Sequence, residues 1–107
     1  MSNYPSGIIF TEDNPGKWEG KATGHLPSVT VDGGKVTVKT DHVMTKAHFI
    51  VRHTIVSADG VMVGDKTFSP DDADAVSEFE LPSDTSGKLY VTSFCNQHDL
   101  WLVEVEL

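Results

Sequence analysis

A single cysteine stands in 107 residues, which excludes an intrachain disulfide and any four-cysteine cluster held within one chain. Positive charge is also scarce. Eight Lys and Arg against sixteen Asp and Glu leave a formal charge of −8 at pH 7. Phosphate binding needs a basic face, so nucleic acid is not an expected partner. No apolar run approaches the roughly 18 residues of a membrane span, and no basic start leads into the apolar stretch of a signal peptide. With a free thiol suited to a reducing compartment, these absences lead us to expect a cytoplasmic protein with no membrane partner. Nowhere does the i, i+3, i+4, i+7 pattern of an amphipathic helix hold over three turns.

What is present is period-two alternation. The length suits one domain, 1–107, able to bury about two-thirds of its unfolded surface. Residues 1–24 are punctuated by Pro5, Gly7, Pro15, Gly16, Gly20 and Gly24 and read as an irregular N-terminal segment. Within it, Gly7-Ile8-Ile9-Phe10 is a short strand or an apolar run packed across the body. Val29 and Val31 alternate with polar neighbours, Asp32-Gly33-Gly34 turns the chain, and Val36 and Val38 alternate back, a hairpin signal. Phe49 to Val56 leads through Ser57-Ala58-Asp59-Gly60 into Val61-Met62-Val63, a second hairpin. Further strands are expected at Val76–Leu81, Leu89–Phe94 and Trp101–Leu107. About seven short strands with regularly spaced turns predict an all-β, antiparallel β-sandwich.

The chemistry lies at the strand ends. Cys95 stands in Phe94-Cys95-Asn96-Gln97-His98, where a thiolate and an imidazole three positions apart can reach one ion from one tight turn. His42 and His48 flank a loop feeding the longest strand, and His25 precedes the first hairpin. One Cys and four of the chain's five histidines at strand-to-loop junctions read as a five-ligand, one-metal centre. His53, mid-strand between Val51 and Ile55, reads as a core histidine and is set apart. The acidic run Pro70-Asp71-Asp72-Ala73-Asp74 lacks the central glycine and distal glutamate of a calcium loop and reads as a solvated turn.

Zinc prefers four tetrahedral ligands and would leave one histidine spare. Blue copper also uses an upstream His and a late Cys and His on a β-sandwich, commonly with an axial Met after the last His. Met1, Met44 and Met62 all precede His98, which demotes copper without removing it. Four imidazoles and a thiolate suit Fe(II) in a square pyramid with the sixth position open.

The sequence resembles the superoxide reductases, specifically the single-iron neelaredoxin type. The resemblance runs from about Lys17 to Leu107. It is carried by Gly24-His25-Leu26-Pro27, by His42 with His48-Phe49-Ile50, and by the stretch from Gly87 to Trp101 that contains Cys95-Asn96-Gln97-His98. It implies an immunoglobulin-like β-sandwich and one mononuclear iron per chain. His25, His42, His48 and His98 would form the plane of ligands and Cys95 the axial one. The implied activity is one-electron reduction of superoxide to hydrogen peroxide, with a rubredoxin-like protein as electron donor and a dimer or tetramer as the assembly. The thiolate's electron donation would be tuned by turn amides near Asn96 and Gln97.

Two positions depart from the family. A Glu-Lys pair usually precedes the first ligand histidine, the Lys drawing in superoxide; here Thr23 and Gly24 stand there. Val43 follows the second histidine in place of a proline. Lys21 and Lys46, on loops beside ligands, are the candidates to replace the missing lysine, Lys21 first because the stretch from Trp18 to His25 is longer than in the family. The altered shell also keeps open a non-catalytic iron or blue-copper electron carrier.

Overall fold

The alternating pattern resolves into eight strands, seen in a computed structural model that describes residues 4–107. Met1, with the start of the expected irregular segment, lies outside the described residues. The strands are β1 (Ile9–Phe10), β2 (Ser28–Asp32), β3 (Lys35–Thr40), β4 (Ile50–Ser57), β5 (Met62–Thr67), β6 (Ala75–Glu80), β7 (Lys88–Cys95) and β8 (Asp99–Glu106). They form a five-stranded sheet in the order β1-β8-β7-β4-β5 and a three-stranded sheet in the order β2-β3-β6. This is the immunoglobulin-like sandwich expected, with one difference. The eighth strand, β1, is only two residues long and joins β8 in parallel, Ile9 opposite Leu100 and Phe10 opposite Trp101. Phe10 and Trp101 are fully buried against each other, ring centroids 5.6 Å apart, and that apolar contact holds so short a strand in place.

The first hairpin turns where the sequence predicts. Gly33 and Gly34 both take positive φ, 57° and 90°, between paired Asp32 and Lys35. A two-residue turn with both central residues left-handed matches the twist of the flanking strands, and glycine adopts it without strain. The acidic run closes a turn in which Asp72 accepts the Ser69 backbone N–H at 2.7 Å.

Inward-facing side chains form three successive layers from one end of the sandwich to the other. Val36, Val38, Ile55, Leu89 and Val91 make an apolar core, flanked by Val29, Val63, Phe79 and Val103. Next comes a buried polar layer, Thr40, His53, Ser77 and Ser93, one residue from each of β3, β4, β6 and β7. Beyond it Ile50, Phe68, Ala75 and Cys95 pack together with Met44. Because side chains alternate along a strand, Val91, Ser93 and Cys95 on β7 point into all three layers in turn. The cysteine thus emerges at the end of the sandwich, where the loops gather. Among the described residues no helix is long and apolar enough to cross a membrane.

Candidate metal centre

Each ligand candidate reaches this end on a different support. Cys95 ends β7 opposite Asp99 at the start of β8, so the sulfur is carried by the sheet and is only 1% exposed. His98 stands in the turn between these two strands. That turn is tied to the loop before β4: the Asn96 side chain accepts the Phe49 N–H at 3.0 Å and donates to the Ala47 carbonyl at 3.1 Å, and Gln97 donates to the same carbonyl at 2.6 Å. The Asn96 backbone N–H donates to the Phe49 carbonyl at 3.2 Å. It is therefore committed to chain pairing, against the expectation that it would serve the sulfur. His48 closes a small turn in which Thr45 and His48 exchange backbone hydrogen bonds of 3.0 and 3.1 Å. His25 follows a 3₁₀ turn at Ala22–Gly24.

The four imidazoles stand at the corners of a square. Ring centroids are 4.6 Å apart for His25 and His42, 4.4 Å for His42 and His48, 4.9 Å for His48 and His98, and 4.7 Å for His98 and His25. The His25–His48 diagonal is 6.1 Å. Nε2 of His48 lies 3.1 Å from His42 Nε2 and 3.1 Å from His98 Nδ1. Two nitrogens at right angles about one ion, each about 2.1 Å from it, would be about 3.0 Å apart. Cys95 Sγ lies 3.8 Å from His42 Nε2 and 3.7 Å from His98 Nδ1. Donor atoms of His25, His48, Cys95 and His98 all fall within 4.8 Å of one another.

Hydrogen bonds decide which nitrogen faces inward. His25 Nδ1–H donates to the Lys21 carbonyl at 2.7 Å, and His42 Nδ1–H to the Val43 carbonyl at 2.6 Å. Each ring therefore keeps a bare Nε2 lone pair for the centre, as a second shell does around a metal. His25 Nε2 is buried and has no hydrogen-bond partner among the described residues. A buried acceptor left so costs about 1–3 kcal/mol unless something fills it. Burial pushes the His25 pKa down to about 4, and burial first, then neighbouring cations, lowers those of His42, His48 and His98. The cluster is thus held as neutral imidazoles, the form that binds metal. Nitrogen lone pairs crowded around a thiol, with too few protons to separate them, fit a cation of borderline softness.

Lys21 and Lys46 are placed differently. Lys21 supplies the carbonyl to His25, and its charge is among those that lower the pKa of His48 and of His98. Lys46 is exposed in the loop between His42 and His48, and its charge is not among those acting on the four imidazoles.

Sequence reasoning overlooked two tryptophans and an aspartate around the site. Trp101 stacks on His25, centroids 5.7 Å apart, and donates its indole N–H to the His98 carbonyl at 2.9 Å. Trp18 sets its ring against His98, centroids 4.6 Å apart at 83°. Its indole N–H is accepted by Asp99, which carries a left-handed φ of 67°. The signal was an aspartate where a tight Cys-x-x-His turn ends, a place that commonly asks for a left-handed residue.

The desulfoferrodoxin family profile matches residues 17–104. Among solved structures, a point variant of the superoxide reductase (neelaredoxin) from Ignicoccus hospitalis superposes with a TM-score of 0.85 at 28% identity, covering 100% of this chain and 98% of that one. The Ignicoccus hospitalis neelaredoxin gives 0.77 at 30% identity, covering 92% and 93%. The one-iron superoxide reductase from Giardia intestinalis shares the fold, with a TM-score of 0.72 at 20% identity over 78% of this chain and 98% of that one. The sequence has no significant match among curated proteins.

Proposed function

We propose that this chain, which belongs to the desulfoferrodoxin family, is a superoxide reductase that converts superoxide to hydrogen peroxide. The observation that carries the reading is the square of four imidazoles with a buried thiol beside it, including a buried His25 nitrogen that has no partner among the described residues. The solved relatives above are superoxide reductases, and their name brings the substrate to this site.

In this reading His25, His42 and His48 would hold iron through Nε2, His98 through Nδ1 and Cys95 through Sγ. Iron, when bound, supplies the one-electron couple that superoxide reduction requires. The protein does the rest. The carbonyls of Lys21 and Val43 fix the tautomers of His25 and His42, so neither of these two rings has to turn or lose its proton to bind. The β7–β8 ladder holds the sulfur where solvent does not reach it, which would shield it from oxidants.

Lys21 stands in for the lysine missing before His25. Its ammonium is close enough to weaken protonation of His48 and His98, so the same field draws an anion toward them. Lys46 is the second candidate. The net charge of −8 opposes this attraction only weakly, because the screening length in physiological salt is about 8 Å. Re-reduction falls to a separate protein of the rubredoxin kind. The assembly is a dimer or tetramer, and the site of action is the cytoplasm.

The test is pulse radiolysis of the anaerobically reduced, iron-loaded protein. A second-order rate constant near the diffusional ceiling of about 10⁸–10⁹ M⁻¹s⁻¹ is expected. A rate lower by several orders moves the function to electron carriage, the reading that Thr23 and Gly24 favour. Lys21→Ala is expected to slow the reaction by about fivefold at low ionic strength, and by less in salt. Equal rates for Lys21→Ala, Lys46→Ala and the parent would remove both lysines from substrate steering.

A further inference from the structure

Asp99 breaks a local rule. It is the one non-glycine residue with positive φ among the described residues, and it directly follows His98. Glycine would take that backbone without strain, so an aspartate held there points to work done by its side chain. Its Oδ2 accepts the Trp18 indole N–H at 2.8 Å and lies 3.9 Å from Lys17 Nζ. Lys17 Nζ in turn sits over the Trp18 ring, 5.0 Å from its centroid. The indole so held is the one whose ring meets His98 at 4.6 Å.

We propose that Asp99 is a positioning residue for the metal centre, a latch joining the segment that carries His25 to the turn that carries Cys95 and His98. The inference rests on the metal reading above.

Trp18 lies seven residues before His25. The single-turn 3₁₀ piece Gly16–Trp18 ends at the tryptophan, only one more, Ala22–Gly24, lies between it and His25, and neither contains a buried residue. Such a segment has little packing of its own, so its position depends on where it is pinned. His25 is pinned at one end by stacking on Trp101, and Trp18 is pinned at the other by Asp99. With both ends fixed, the His25 nitrogen already faces its partners when a metal arrives. With one end loose, only part of the population is competent, and apparent affinity falls by that fraction. The Lys17–Asp99 contact is solvent-exposed on both sides and adds little. The indole hydrogen bond is therefore the working part of the latch.

Asp99→Gly, Asp99→Asn and Trp18→Phe separate this role from simple turn stability. Co(II) titration of the metal-free full chain gives affinity and the thiolate-to-cobalt absorption band, neither of which depends on turnover. Asp99→Gly relieves the backbone strain, so its metal-free thermal midpoint should hold or rise while Co(II) affinity falls about tenfold. Trp18→Phe should show the same loss. Asp99→Asn tolerates the left-handed backbone and can still accept the indole N–H, so it should bind within about twofold of the parent. An Asp99→Gly protein that binds as tightly as the parent overturns the latch, and so does an Asp99→Asn protein that loses as much as Asp99→Gly. A parent chain that takes up no Co(II) overturns the metal reading and the latch with it. A parent that binds Co(II) but reduces superoxide slowly leaves the latch standing.

Discussion

His25 and His53 are both buried imidazoles whose pKa burial pushes down to about 4, yet they sit in opposite kinds of surroundings. His53 has both nitrogens satisfied: Ser77 Oγ lies 2.7 Å from Nδ1 and Thr40 Oγ1 lies 2.9 Å from Nε2. Thr40 Oγ1 reaches on to Ser93 Oγ at 2.8 Å, and Phe68 packs edge-on against the ring. His25 has one nitrogen on a carbonyl, and the other has no partner among the described residues. Burial and titration behaviour do not distinguish the two residues. Hydrogen-bond completeness does: a closed polar layer stabilises the sandwich, and an open cluster waits for a cation.

Exchanging the two losses breaks the comparison most sharply. His25→Ala removes the proposed ligand, whose buried Nε2 has no partner among the described residues. Iron affinity should drop by at least about 100-fold, more than the loss of an outer partner costs, while metal-free stability changes little. His53→Ala should do the reverse. It takes the imidazole partner from two hydroxyls, those of Thr40 and Ser77, and opens a cavity, costing about 3 kcal/mol, and whatever fraction stays folded should bind iron as before. Denaturant unfolding and metal titration on the same two variants check both statements. Equal iron loss in both would show that the layers are not separable.

A pH series sharpens the contrast. His53 takes up a proton near its ordinary value of 6.5 when unfolded but only near about 4 when folded. Its contribution is therefore fully present above pH 6.5, is lost as pH falls toward 4, and is flat below that. The full span is about 3 kcal/mol. The metal-free parent compared with metal-free His53→Gln isolates this term, because His25 titrates alike in both. Parallel stability curves between pH 7 and 4 would mean that His53 carries none of the slope. Thr40→Val is the smaller perturbation. Losing the hydroxyl shared by His53 and Ser93 should cost about 1–2 kcal/mol and leave metal affinity unchanged.

The same pair of residues shows what was legible in the sequence. Cys95 and His98 could be read as partners because one tight turn joins them, and a turn is a local property. The two hairpins were legible for the same reason, through Gly33-Gly34 and the Ser57–Gly60 run. His53 reads from the sequence as a core residue, but its hydroxyl partners, Thr40 and Ser77, come from two other strands and no local pattern announces them. The parallel pairing of β1 with β8 was likewise hidden, since it depends on Phe10 meeting Trp101 across 91 residues of sequence. Which nitrogen of His25 and of His42 faces the centre is beyond reach as well, because backbone carbonyls at Lys21 and Val43 decide it.

The alternation along β7 sets a rule for length change. Val91, Ser93 and Cys95 share one face, while Phe94 and Tyr90 belong to the other. Removing or adding one residue within this strand would turn the sulfur outward, empty a place in the polar layer and drive Phe94 inward, all at once. The segments before His25 and between His42 and His48 lie outside this register, and a residue more or less there redraws a loop without turning the sulfur. The chain therefore has a fixed frame in β7 and adjustable arms around it. Insertions that alter how substrate is received can accumulate in the arms, while β7 can change length only two residues at a time.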